Sequence, residues 1–247
     1  MSRLYVEPER LHDEIVVVAG EDHRYLTRVL RLTIGDPLVL FDGAGQEVTA
    51  HIIRIGPRAL ELKIEERHAV EVAARPEVTV IQALTKGDKL ELVVQKATEL
   101  GVARIIPVTS ARSVPRLEAM RAQGRQTRWQ KIARDAARQS GRADVPEVEP
   151  VTALTTALSA AAKDALKLML WEGARAERNG LRTALPATPP ARVVIAIGPE
   201  GGFAVEEVEA ARAAGFAAVG LGPRVLRTET AALVTLSILG FALGDLG

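Results

Sequence analysis

A chain of 247 residues with 47% apolar content, 32 basic and 31 acidic side chains and no cysteine suffices for one large domain or two modest ones, with a core that needs no covalent or metal staple. The missing cysteine excludes a disulfide framework, a thiolate zinc site, an iron–sulfur cluster and a cysteine nucleophile. The balanced charge announces no global basic field, and the only histidines are His12, His23, His51 and His68. A Ser-His-Asp triad or His-rich metal site in the C-terminal two-thirds is therefore excluded.

The charged start MSRLYVEPER lacks an apolar core, so no signal peptide is expected. The longest apolar stretch, Ala231 to Leu243, is shorter than the roughly 20 residues a bilayer demands. A soluble, cytoplasmic protein with no membrane partner is expected.

The first 74 residues have the texture of a small β domain. Leu38 to Phe41 runs into Asp42-Gly43-Ala44-Gly45, and Glu47 to Ile55 and Ala59 to Ile64 follow. In the last run Leu60, Leu62 and Ile64 alternate with Glu61, Lys63 and Glu65, the period of a half-buried strand. Asp42-Gly43 and Gly56-Pro57 are turn signals. With a helix predicted over Asp22 to Leu32, the region reads as an antiparallel barrel with a helix on its rim, ending near Ala74-Arg75-Pro76.

From Glu77 onward short apolar runs alternate with amphipathic stretches. Val78 to Ile81, Arg104 to Val108, Leu166 to Trp171, Val193 to Ile197 and Ala217 to Leu221 are of buried-strand type, and Lys89 to Leu100 and Val205 to Ala214 are helical. That alternation predicts an α/β domain with a mainly parallel sheet covered on both faces. Ala153 to Ala162 reads as a surface helix and Pro186 to Pro190 as a loop. Ala232 to Leu243 is apolar nearly all round, which predicts a buried helix.

Charge is uneven locally. Between Arg104 and Arg142 ten basic residues face only Glu118 and Asp135. Arg121, Arg125, Arg128, Lys131, Arg134 and Arg138 share one broad helical face, with Trp129, Ile132, Ala133 and Ala136 opposite. Arg24, Arg28 and Arg31 repeat the spacing on the rim helix. A charge run is usually a solvated face, but one nearly without acids is what phosphate contact requires. Both readings stand, with RNA as the partner in the second.

Two Gly-containing loops follow buried runs in the last third. Gly198-Pro199-Glu200-Gly201-Gly202-Phe203 lies where open sheets bind ligands and where glycine lets backbone approach closely. It lacks the Lys-Ser/Thr of a phosphate loop. Glu206, Glu207 and Glu209 just beyond it disfavour a pyrophosphate. A ligand with a positive centre, or one read by backbone groups, suits it better; a plain strand-to-helix turn is the bland alternative. The second loop runs from Leu221 to Ala231. Arg224, Arg227 and Glu229 there are costly before a buried helix unless they pair or meet a ligand.

Together these loops, IGPEGGF at 197–203 and LGPRVLRTETA at 221–231, resemble the paired signature of the ribosomal RNA small-subunit methyltransferase E family of knotted SPOUT methyltransferases. QKATELG at 95–101, WQKIA at 129–133, QSGR at 139–142, RLY at 3–5 and RVLR at 28–31 agree, so the resemblance spans the chain. It implies a PUA-like RNA-binding barrel over 1–74 and a SPOUT methyltransferase domain over 75–247 tied in a trefoil knot, which general topology rules argue against. It also implies a homodimer, S-adenosylmethionine as cofactor, and methylation of N3 of one uridine in 16S rRNA on the assembled small subunit. Cofactor contacts would come from Leu170, Gly198, Pro199, Glu200, Gly201, Gly202, Leu221, Gly222, Leu226, Thr230 and Ala231.

The reaction needs a uracil that has lost its imide proton, so catalysis is positioning plus stabilisation of a uridinate oxygen. Arg227 and Arg3 are the offered donors, and Glu229 is either a base or the group that orients Arg227. A SPOUT enzyme acting on another RNA position, such as a ribose oxygen, is the nearest alternative. A noncatalytic RNA-binding module would keep the basic stripes but has no reason to keep both Gly loops.

Overall fold

The computed structural model describes residues 1–69, 75–113, 124–175 and 180–246, with backbone alone at 68, 69 and 175. Its contacts divide it into two units, Met1–Ala73 with Arg134–Val145, and Ala74–Ala133 with Pro146–Gly247. The first unit thus includes a returning segment that a boundary drawn at Ala74–Pro76 leaves on the other side.

In the first unit β1 (Ser2–Tyr5), β2 (Ile15–Ala19), β3 (Pro37–Phe41), β4 (Gln46–Ile55) and β5 (Ala59–Ala69) form one sheet in the order β1-β3-β4-β5-β2. Alternation builds it: Val48, Ala50 and Ile52 of β4 and Leu60, Leu62 and Ile64 of β5 face one core with Leu38 and Leu40. Each such fully buried leucine contributes roughly 1.5–3 kcal/mol of transfer free energy. The sheet is antiparallel except at one edge, where β1 pairs with β3 in parallel. Ser2–Tyr5 is too short to show a period, so only its partner makes it a strand. The rim helix is also shorter than expected. It spans Gly20–Arg24, continues as a π-helical turn over Tyr25–Val29, and closes with Arg31 at φ 56°.

The second unit is α/β. Its sheet contains β6 (Glu77–Ala83), β7 (Arg104–Thr109), β8 (Glu147–Val148), β10 (Leu166–Leu170), β11 (Arg192–Ile197) and β12 (Ala217–Val219), in the order β12-β10-β11-β6-β7-β8, with β9 (Thr152–Ala153) also on β7. Every pairing is parallel. The central strands are buried almost end to end because helices cover both faces. Ile81, Ile106, Met169 and Val194 pack against the helices Leu154–Ala160 and Val205–Ala213. On the other face the helix Thr228–Leu243 meets β11 and the helix Lys89–Glu99.

One sequence expectation holds and one needs correction. The Ala-rich helix is a surface helix, with Leu154, Ala157 and Leu158 buried in that core and Thr155, Thr156, Ser159 and Ala160 exposed. The last helix is not buried all round. Ala232, Leu236 and Leu239 face inward, whereas Ile238 is exposed and Phe241 is 75% exposed. An apolar helix surface tells how much can be buried, not what covers it. Among the described residues no helix is long and apolar enough to cross a membrane.

Candidate functional site

The strands β12, β10 and β11 are adjacent, and the loops after them meet at their carboxyl ends around a cavity of about 570 Å³. The Gly loop supplies Gly198, Pro199, Glu200 and Gly202, and the second loop supplies Leu221, Leu226 and Ala231; Leu170 ends β10 at the same place. These sequence-predicted residues are brought together. Gly201, Gly222, Thr230 and Glu229 are not on the cavity wall.

Close backbone approach is real at Gly198. A Cβ there would lie 3.3 Å from the Cα and carbonyl carbon of Gly202. Gly202 has φ +67°, a conformation that only glycine adopts cheaply. Gly201 faces elsewhere: its carbonyl accepts from the Arg112 guanidinium at 3.0 Å, and a Cβ would meet that side chain.

A third loop, which no motif marks, also contributes. Trp171 and Glu172 follow β10 and line the cavity, and any Cβ on Gly173 would overlap the Trp171 indole. The signal was available, since the run Leu166 to Trp171 reads as a strand and its carboxyl end borders the same crevice. Thr228, within the second loop's signature, lines the wall too, as does Lys89, which nothing local in the sequence marks.

Arg227 is on the cavity wall, exposed, and makes no ion pair with a described residue. It is the N-cap of the last helix, and its carbonyl accepts from the Ala231 N–H at 2.8 Å. No Arg227–Glu229 pair forms, and Glu229 Oε2 is buried without a hydrogen bond, so Glu229 does not orient Arg227. Arg3 is committed within the first unit. Its guanidinium pairs with Glu47, donates to the Arg142 carbonyl at 3.0 Å and lies over the Phe41 ring, and the side chain is 16% exposed. Arg3→Ala should strand a mostly buried carboxylate and cost about 2–3 kcal/mol, below the range for fully buried pairs. Urea unfolding measures it; an unchanged midpoint would make the pair ornamental.

Glu200 is latched to the loop after β6. Burial raises its carboxyl, but hydrogen bonds from Lys89 Nζ at 2.7 Å and from backbone N–H groups, with the Lys89 charge, outweigh it and hold it below the ordinary value. Stability from a depressed carboxyl is full above the unfolded pKa and lost as pH falls through the folded one. Lys89→Ala is therefore expected to cost about 0.5 kcal/mol at pH 7, both partners being a third exposed. The gap between parent and variant should close only below pH 4.5. Urea titrations from pH 7 to 3 read this directly.

A second cavity of about 600 Å³ borders the amino ends of β6, β7 and β11. Its charges are already paired, Arg104 with Glu77 and Glu149, Arg192 with Glu77 and Asp164. The cavity at the carboxyl ends, with open arginines and two Gly loops, is the better ligand site.

The basic stripe is not one continuous face. Arg121 lies outside the described residues. Arg125 and Arg128 are exposed, but Arg128 pairs with Glu91 at 2.7 Å. Arg134 stacks on Tyr5, and Arg138 stacks on Tyr25 and pairs with Asp135. Trp129, Ala133 and Ala136 are buried on the opposite face, as the helical period requires. Arg24, Arg28 and Arg31 are exposed without an ion pair among the described residues, beside exposed Val29 and Ile34.

Residues 73–240 match the model of an RNA methyltransferase domain, and residues 18–65 that of an RNA methyltransferase PUA domain. The chain is 35% identical over 230 residues to a ribosomal RNA small subunit methyltransferase E from Mycobacterium tuberculosis, covering 92% of this chain and 86% of the relative. The Bacillus subtilis protein of that name is 32% identical over 247 residues, at 98% and 96% coverage. Among solved structures, that of the Neisseria gonorrhoeae methyltransferase E bound to S-adenosyl methionine superposes with a TM-score of 0.86 at 33% identity, covering 98% and 97% of the two chains. A Legionella pneumophila putative methyltransferase in complex with the same cofactor gives 0.84 at 35%, covering 97% of each. A parallel sheet with Gly loops at its carboxyl edge, a PUA-type unit and likeness over nearly the full length converge on one assignment: the chain belongs to the ribosomal RNA small subunit methyltransferase E family.

Proposed function

We propose that this protein transfers the methyl group of S-adenosylmethionine to N3 of one uridine in 16S rRNA, acting in the cytoplasm on the assembled small subunit as a homodimer with a knotted cofactor site. The observation that carries the reading is the cavity itself, where Arg227, without an ion pair among the described residues, shares a wall with both Gly loops. The lining fits the cofactor. Leu170, Ile197, Val219 and Leu226 give an apolar slot whose backbone groups can read an adenine, and Glu172 and Glu200 supply negative charge for a sulfonium. When bound, S-adenosylmethionine supplies an electrophilic methyl group.

The protein's part is to position the uracil and stabilise its anion. Arg227 donates to the uracil oxygen that gathers charge as the N3–H is lost. Glu172, the lining carboxylate with no hydrogen bond to a described residue, receives that proton. Glu229 and Arg3 have no step here. The apolar face around Ile238 and Phe241 is the surface offered to the second copy. A mass map of methylated uridines in rRNA from cells with and without the protein tests the reading. Loss of 3-methyluridine at one site supports it, and loss of a ribose methyl instead would assign the enzyme to the other chemistry.

For RNA contact the proposal relies on Arg24, Arg28 and Arg31 of the PUA-type unit more than on the helix Gln126–Ser140. Replacing all three by Ala should flatten the log–log salt dependence of RNA binding by about 0.7 per lost contact to a single strand. An unchanged slope returns that rim to a solvated surface.

A further inference from the structure

Gln82 is fully buried near the carboxyl end of β6, and no motif singled it out. Its Nε2 donates to Thr228 Oγ1 at 3.0 Å and to the Ala83 carbonyl at 3.1 Å. Thr228 donates in turn to the Gly198 carbonyl at 2.6 Å. A hydroxyl has one proton, so the Thr228 that donates to Gly198 must accept from Gln82, and the chain runs one way from amide to hydroxyl to carbonyl. It joins three elements: a central strand, the Gly loop after β11, and the first residue of the last helix, next to Arg227.

We infer that Gln82 and Thr228 are positioning residues, a buried clamp that holds Arg227 in register with the Gly198 loop. The inference deepens the proposed function and rests on it for the roles of that loop and of Arg227. Gln82 Oε1 is buried with no hydrogen-bond partner, a desolvation penalty that Leu or Met would avoid. The two hydrogen bonds of Nε2 offset that penalty in part, and the directional link to Thr228 is what an apolar side chain does not supply. An acceptor at the Nε2 position would pull the Thr228 proton away from Gly198, so Gln82→Glu should break the clamp although it conserves shape.

The test uses the full chain and compares Thr228→Val, Thr228→Ser, Gln82→Met and Gln82→Glu. Hydrogen exchange follows the Gly202 N–H, bonded to Pro199, and the Ala231 N–H, bonded to Arg227. Single-turnover methyl transfer at saturating S-adenosylmethionine follows function. With Thr228→Val both amides should exchange faster and transfer should fall, each by on the order of tenfold, the worth of one buried hydrogen bond. Thr228→Ser should restore both, and Gln82→Met should move them in the same direction. A lower melting temperature with unchanged exchange at both amides would overturn the clamp, and so would a Ser variant no better than Val. Should Thr228→Val not fold, the Gln82 variants decide by the same readouts. A parent protein that binds no S-adenosylmethionine would overturn the proposed function, while the exchange data would still judge the clamp.

Discussion

Arg227→Ala is expected to lower single-turnover methyl transfer by roughly 10²–10³, about 3–4 kcal/mol, the scale of losing a donor to a developing oxyanion. The side chain is exposed and unpaired among the described residues, so its removal should leave unfolding free energy within about 0.5 kcal/mol of the parent. Arg227→Lys keeps the charge but loses the planar fork, and should recover only part of the rate. Cofactor and RNA affinities should change far less than the rate. Collapse of cofactor binding in the Ala variant would make Arg227 a binding residue and end the catalytic assignment.

Gly198→Val should raise the S-adenosylmethionine Kd at least about a hundredfold, roughly 2.7 kcal/mol, with RNA binding nearly intact. The cause is steric. The first added carbon already stands 3.3 Å from the Gly202 backbone and the Phe203 ring, and two further methyl groups fit only if the loop opens. Gly201→Val is the control, because its side chain would press on the flexible Arg112 outside the cavity wall. Calorimetry that finds the two variants equal to the parent would remove this loop from the cofactor site.

Arg227 lies on the cavity wall, but it does not pair with Glu229. Glu229 is two residues away, yet Arg227 at the N-cap and Glu229 in the first helical turn form no pair. Adjacency in a loop suggested an ion pair that the helix start does not make. The basic stripe shows the reverse case. Its periodicity correctly set Trp129 and Ala133 inward, but spacing carried no information on what the arginines meet. Tyr5 and Tyr25 take up two of them.

The sequence by itself determined the α/β character of the second unit, the alternating strands β4 and β5, and the placement of the two Gly loops after buried runs; their individual contacts came from the family resemblance. Period, turn chemistry and a loop following an apolar run are properties of neighbours along the chain, and such neighbours stay neighbours after folding. Only the tertiary structure decided that Ser2–Tyr5 is a strand, that the last helix keeps an open apolar face, that Trp171 lines the cavity, and that Arg3 is held by Glu47. The contacts that shape the site span long separations, 146 residues for Gln82 and Thr228 and 111 for Lys89 and Glu200. Pairings of that kind are set by which strands lie side by side in the sheet, and no local pattern encodes that order.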